Sequence, residues 1–204
     1  MSKKVISVKI LQKEVSRLKK LVHHDQLSGL YNRPGFAEDV EGYLKELKGE
    51  HKKGSKDRRS FKIRNLSIIF ADLNDFKKLN DRYGHACGDE VIKAFARTLK
   101  KGTRSIDVAG RWSGDEFVVA LVGADKKDAQ NTVDKIRKII SEKIWRLCGK
   151  NGLKVSASFG CASVVDETRV PKKIFEMRKL IREADKQMYE DKKRQKSLFD
   201  LKIF

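Results

Sequence analysis

Cysteine is scarce and scattered: Cys87, Cys148 and Cys161 are the only three, and no two of them form a CxxC pair. That argues against a zinc site or a disulfide framework and fits a reducing compartment. Long apolar runs are missing too. The longest, near Phe117 to Ala124, falls well short of the ~18 residues a membrane-spanning helix requires. The charged N-terminus has no apolar core of the kind that marks a signal peptide, so the expected location is cytoplasmic. Internal repeats and low-complexity segments are absent. Acidic residues are in deficit, 28 Asp and Glu against 47 Lys and Arg, for a formal net charge of +19. Such an excess implies attraction to polyanions: nucleotides, nucleic acid or acidic lipid headgroups. It gathers in residues 3–20, 45–64 and 171–204, whereas Asp72 to Asp89 is roughly balanced.

What is present is enough for one full domain and an appendage: 204 residues, 39% of them hydrophobic. The division expected is a helix over 1–24 and a domain over 25–204. In the first segment Val8, Leu11, Val15, Leu18 and Val22 recur at 3-4-3-4 spacing, an a/d seam of about two heptads. Two readings stand open: an amphipathic helix lying on its own domain, or a dimerising, signal-relaying helix. A membrane-surface helix ranks behind both, since the stripe is narrow and has no aromatic residues. Asn32 is placed to cap a second helix with Pro34 in its first turn. Residues 48–64 read as a basic loop.

The remainder alternates in type. Strands are expected over 66–72, 106–112, 117–122 and 154–162. Helices are expected over 75–100, broken at Gly84 to Gly88, then over 126–147 and 175–194, with Ile181, Ala184 and Met188 facing inward. Ser197 to Phe204 is read as a further edge strand. The order is β-α-β-β-α-β, a ferredoxin-like α/β (α+β) core. In that topology the third strand lies between the first and second. The end of the first strand then meets the turn joining the second to the third.

This geometry gathers carboxylates. Arg111-Trp-Ser-Gly-Asp-Glu-Phe117 places Asp115 and Glu116 at the hairpin turn, and Asp72 ends the first strand. Acidic side chains at one edge repel one another unless cations lie among them, and oxygen ligands suit Mg²⁺ or Mn²⁺. Two such ions ~4 Å apart serve phosphoryl transfer. Alone, each carboxylate would read as an ordinary turn or strand-end residue. Asn80 and Asp89 flank a glycine-punctuated turn, and an amide with a carboxylate can read a guanine edge. Lys192 and Lys196, one helical turn apart, are placed to neutralise a triphosphate.

The stretches Asp25-Gln-Leu-Ser-Gly-Leu-Tyr-Asn-Arg33, Phe70-Ala-Asp-Leu-Asn-Asp-Phe-Lys-Lys-Leu-Asn-Asp-Arg-Tyr-Gly-His85 with Gly88-Asp89, Arg111 to Phe117, Val155-Ser-Ala-Ser-Phe-Gly160 and Ala184-Asp-Lys-Gln-Met-Tyr-Glu-Asp-Lys192 resemble, in order, the motifs of the GGDEF family, the diguanylate cyclases. The resemblance covers about residues 25–196. It implies a fold of the nucleotidyl cyclase and polymerase palm type and condensation of two GTP into cyclic di-GMP, with release of two pyrophosphates. One GTP per protomer implies a catalytic homodimer, which the N-terminal seam would promote; the short N-terminal helix suggests an upstream sensor outside this chain. Carried over by position, Asp72, Asp115, Glu116 and the Leu73 backbone carbonyl hold two Mg²⁺ (or Mn²⁺) per active site. Ser113, Gly114, Asn80, Asp89, Lys192 and Lys196 bind substrate. Arg104 and Asp107 resemble an RxxD site for inhibition by the product.

Three positions depart from the family's pattern. Ser113 stands where glycine is usual; activity survives if the backbone φ there is negative and falls if it is positive or if the phosphate touches Cα. Lys196 stands for arginine and so loses the bidentate fork. Asn74 replaces an aspartate whose side chain is expected to point away from the carboxylate edge. Competing with an active cyclase are a catalytically silent sensor of GTP or cyclic di-GMP and a nucleic-acid binder using the basic surface; the second leaves the carboxylates unexplained.

Overall fold

The apolar run ending at Asp72 lies within β1 (Asn65–Leu73), buried from Leu66 onward. The computed structural model describes residues 2–47, 63–142, 145–165 and 177–200. β1 pairs antiparallel with β3 (Glu116–Val122), from Leu66 opposite Val122 to Asp72 opposite Glu116. On its other side it pairs antiparallel with β6 (Ala157–Val165). β2 (Val108–Ser113) pairs antiparallel with β3, giving the sheet order β2-β3-β1-β6. The first two strands of the core are therefore parallel with the third between them, as the sequence order requires.

Strand periodicity divides the core into two layers. Ile69, Ala71 and Leu73 pack with Phe117, Val119, Leu121 and Phe159 under α4 (His85–Gly102) and α5 (Lys126–Glu142). Leu66, Ile68 and Phe70 pack on the opposite face against α2 (Arg33–Leu47) and α6 (Met177–Asp200). Ile181, Ala184 and Met188 of α6 are buried there, as expected. α3 (Phe76–Tyr83) precedes α4 with only Gly84 between them, so the break is narrower than the expected 84–88.

The N-terminal helix α1 (Ser2–His23) leaves its seam in solvent: Val8, Leu11, Val15, Leu18 and Val22 are each about half exposed. Asn32 joins it to α2. Its Nδ2 donates to Val22 O at 2.6 Å, while its Oδ1 accepts from Gly35 N at 2.9 Å, the expected cap.

Three sequence expectations are corrected. The helix expected to reach residue 147 stops at Glu142, and Trp145–Leu147 (β4) and Lys150–Leu153 (β5) form a hairpin. Cys148 (φ 59°) and Gly149 (φ 65°) occupy its two-residue turn, the backbone handedness that matches strand twist. The last segment is helical through Asp200 rather than an edge strand from Ser197; residues 201–204 lie outside the described residues, as does most of the basic loop. Finally, Cys87 and Cys148 are joined as a disulfide, which their 61-residue separation concealed.

Candidate active site

The β2–β3 turn and the end of β1 form one edge. Asp72 lies opposite Glu116, and Leu73 N donates to Asp115 O at 3.2 Å, tying the strand end to the turn. Pairing shifts register between Arg111 and Ser113, where β2 bends into the turn. Gly114 has φ +32° and open space around it, and Ser113 lies outside the positive-φ region. Serine at 113 therefore needs no glycine-like backbone.

Arg111 braces this turn. Its Nε donates to Gly114 O at 2.8 Å, and its Nη1 reaches both oxygens of Asp25 at 3.2 Å. Burial alone would raise the Asp25 pKa. The Ser28 hydrogen bonds and the Arg111 charge outweigh that and hold it below the usual value. The segment after α1 is thus coupled, through one guanidinium, to the carboxylate-bearing turn.

The electrostatics fit a cation-binding edge. Asp72 is buried, and burial raises its pKa with help from Asp115 and Asp185, although Lys192 Nζ at 2.6 Å from Oδ1 opposes the rise. The Glu116 pKa is raised by burial first, then by Asp72, Asp185 and Asp115. Asp185 was absent from the sequence-derived site. It lies seven residues, two helical turns, before Lys192, and that spacing was a readable sign that both serve one face. Among the described residues no three Asp, Glu, His or Cys side chains form a ready metal cage. An all-oxygen edge on which the Asp72 and Glu116 pKa values are raised fits a hard divalent ion that takes its remaining ligands from phosphate, as Mg²⁺ commonly does.

Lys192 is positioned by its neighbour. The buried Asp191 accepts from Phe159 N on β6 at 2.9 Å, from Gln195 Nε2 at 2.9 Å and from Arg137 Nη2 at 2.5 Å. These bonds fix α6 against the free edge of β6. Neither Asp191 nor Arg137 was singled out in the sequence, because the contact joins two helices and a strand remote in order. Lys196 is exposed one turn further along. The Asn74 amide is engaged with Ser156, Ser158 and Gln195, consistent with its expected turn away from the carboxylates.

Asn80 on α3 and Asp89 on α4 flank the Gly84 junction, where Gly84 N donates to Asn80 O at 2.7 Å. Asn80 Oδ1 is buried without a hydrogen-bond partner among the described residues, and Asp89 is exposed. A Cβ at Gly88 would lie 1.9 Å from Asn80 Oδ1, so this position admits only glycine without displacing the amide.

Arg104 and Asp107 meet at the other end of the β2–β3 hairpin. Arg104 Nη2 donates to Asp107 Oδ1 at 2.9 Å and to Val122 O at 2.8 Å. The Asp107 carboxylate is also held by Arg104 N (2.8 Å) and Val122 N (3.2 Å). The Asp107 hydrogen bond raises the Arg104 pKa against the opposing effect of burial. A cavity of about 330 Å³ opens beside them, lined also by Asp128, Asn131 and Lys135.

The family model described as "Diguanylate cyclase, GGDEF domain" matches residues 22–197. Diguanylate cyclase A of Treponema denticola is 38% identical over 127 residues, 62% of this chain and 32% of that protein. The response regulator PleD of Caulobacter vibrioides is 30% identical over 171 residues, 82% of this chain and 33% of that protein. The chain thus spans about one third of the length of these curated relatives. Among solved structures, the GGDEF domain of TpbB (YfiN) from Pseudomonas aeruginosa matches with a TM-score of 0.68 at 29% identity, covering 84% of this chain and 90% of that one. The coiled coil and GGDEF domain of DgcB from Caulobacter crescentus, in complex with c-di-GMP, matches with a TM-score of 0.75 at 19% identity, covering 94% and 92%. That second likeness is one of fold.

Proposed function

This chain belongs to the GGDEF family of diguanylate cyclases, and on that premise we propose that it condenses two GTP into cyclic di-GMP and two pyrophosphates. The observation that supports it most is the pairing of Asp72 with Glu116, beside Asp115 and within reach of Lys192. Asp72, Asp115, Glu116 and the Leu73 carbonyl would hold Mg²⁺ or Mn²⁺, two per site. Bound there, the ions offset the charge of the triphosphate and favour ionisation of the attacking hydroxyl.

The chain's own groups provide the rest. Asn80 and Asp89 orient guanine: the Asp89 carboxylate accepts from ring N–H and amino groups, and the unpartnered Asn80 Oδ1 gains a donor. Ser113 and Gly114 leave an open approach for phosphate at the turn. Lys192 turns from Asp72 toward the phosphates, joined by Lys196. The 3′-hydroxyl of one nucleotide attacks the α-phosphorus of the other. A new P–O ester bond forms as the α–β bridging bond breaks, and pyrophosphate departs.

Each domain presents one nucleotide, so two must face each other. The exposed α1 seam would pair two copies and transmit an upstream signal. Arg104 and Asp107 would hold the product and slow further turnover. No helix among the described residues is long and apolar enough to cross a membrane; with GTP as substrate, a cytoplasmic location follows.

The test is chromatography of a reaction containing protein, GTP and Mg²⁺, with Asp115→Asn as control. Cyclic di-GMP and pyrophosphate are expected, and turnover in the variant should fall by ~10²-fold or more. Bound GTP without product at high protein concentration would instead assign a nucleotide-sensing role.

A further inference from the structure

The β4–β5 hairpin has no part in the chemistry above, yet it is anchored beside the guanine-reading residues. Its turn residue Cys148 is bonded to Cys87, with Cα atoms 5.1 Å apart, a separation usual for a disulfide. Cys148 N also donates to Glu90 Oε2 at 2.7 Å, and Leu147 and Leu153 pack against the core beneath α4. Cys87 is buried in the first turn of α4, adjacent to Gly88 and two residues before Asp89. Gly88 in turn abuts Asn80. The bond therefore fastens the hairpin to the short segment that positions both guanine-reading side chains.

We propose that Cys87 and Cys148 form a reversible dithiol–disulfide site that responds to peroxide and sets the affinity for GTP. The effect on GTP rests on the cyclase reading's assignment of the guanine pocket. Cys148 is partly exposed and Cys87 is buried, which assigns the order of reaction. The Cys148 thiolate attacks a peroxide oxygen. The O–O bond breaks, and the departing hydroxide takes a proton as Cys148 becomes a sulfenic acid. Cys87 sulfur then attacks Cys148 sulfur; the S–O bond breaks, and water leaves with the Cys87 proton. In total two thiols and one peroxide yield a disulfide and two waters. A dithiol reductant reverses the bond by two exchange steps. The third cysteine, Cys161, is no competitor: burial pushes its thiol up to about 11, leaving negligible thiolate.

The tether preorganises the start of α4, so its effect falls on binding rather than on chemistry. The protein is prepared reduced with tris(2-carboxyethyl)phosphine or oxidised with hydrogen peroxide, then freed of reagent. Peptide mass mapping should find the Cys87–Cys148 cross-link only after oxidation. Reduction should raise the KM for GTP roughly three- to tenfold and leave kcat within about twofold. Cys148→Ser should match the reduced protein and ignore peroxide. GTP binding by calorimetry, in Ca²⁺ to suppress turnover, separates the two claims. A change in affinity on oxidation without cyclic di-GMP from either form defeats the cyclase reading and leaves this site standing. Failure of the cross-link to form, or a cross-link that changes neither KM nor GTP affinity, overturns it.

Discussion

For Glu116, the metal-holding role proposed above comes with a penalty on the fold. Its folded-state pKa is raised, by burial first and then by Asp72, Asp185 and Asp115, so the ionised form is less favoured in the folded chain than in the unfolded one. The native state then binds more protons, and stability falls as pH rises from the ordinary carboxylate range through the raised value. Glu116→Gln should therefore melt higher than the parent at pH 7 without divalent ions. The difference should vanish near pH 4, where both carry a neutral group. Thermal melts at the two pH values check this, and an advantage of the same size at pH 4 would refute it. Arg104 makes a cleaner case for regulation. Asp107 keeps two backbone donors, Arg104 N and Val122 N, when the guanidinium is removed. Arg104→Ala should fold normally and show a progress curve that no longer bends as product accumulates; unchanged curvature would remove Arg104 from inhibition.

Between elements, the α3–α4 junction is the tightest fit at the site. Gly88→Ala would drive a methyl into Asn80 Oδ1, so the amide or the helix must move. Overpacking of this kind costs about 1–3 kcal/mol, and it would misplace the group proposed to read guanine. The KM for GTP should rise well beyond any change in kcat; wild-type kinetics would show that Asn80 does not read the base. Elements were also where sequence reading succeeded and failed most clearly. The β-α-β-β-α-β order was legible because β1 and β3 are dense apolar runs bounded by turn residues, and that order alone placed Asp72 near Asp115. The β4–β5 hairpin was not. Ile136, Ile140, Ile144 and Leu147 keep a helical spacing past Glu142, so periodicity continued where the backbone did not. The disulfide and the Asp191–Arg137 pair stayed hidden because tertiary proximity leaves no trace in local pattern.

For the whole molecule, the decisive feature is an N-terminal helix whose apolar stripe finds no cover within the described part of its own chain. If two copies close that stripe over each other, Leu11→Glu with Leu18→Glu should dissociate them. Specific activity would then fall at low protein concentration and recover as concentration rises, while melting of the globular part stays unchanged. Sedimentation beside activity titration checks it, and a variant that still sediments as a dimer would place the contact elsewhere. The +19 charge was legible at once but uninformative about mechanism, since basic residues spread over several segments describe attraction to anions and no particular one.

The β2–β3 hairpin has its carboxylate turn at one tip and the Arg104–Asp107 pocket at the other, roughly 20 Å apart at ~3.3 Å per residue. A paired ribbon cannot slip by one residue without turning every side chain to the wrong face. An occupant of the far pocket therefore has no sliding rod by which to reach the carboxylates. On the two-domain reaction proposed above, what would remain available to it is leverage on the outside: pinning one domain so that its nucleotide never meets the other.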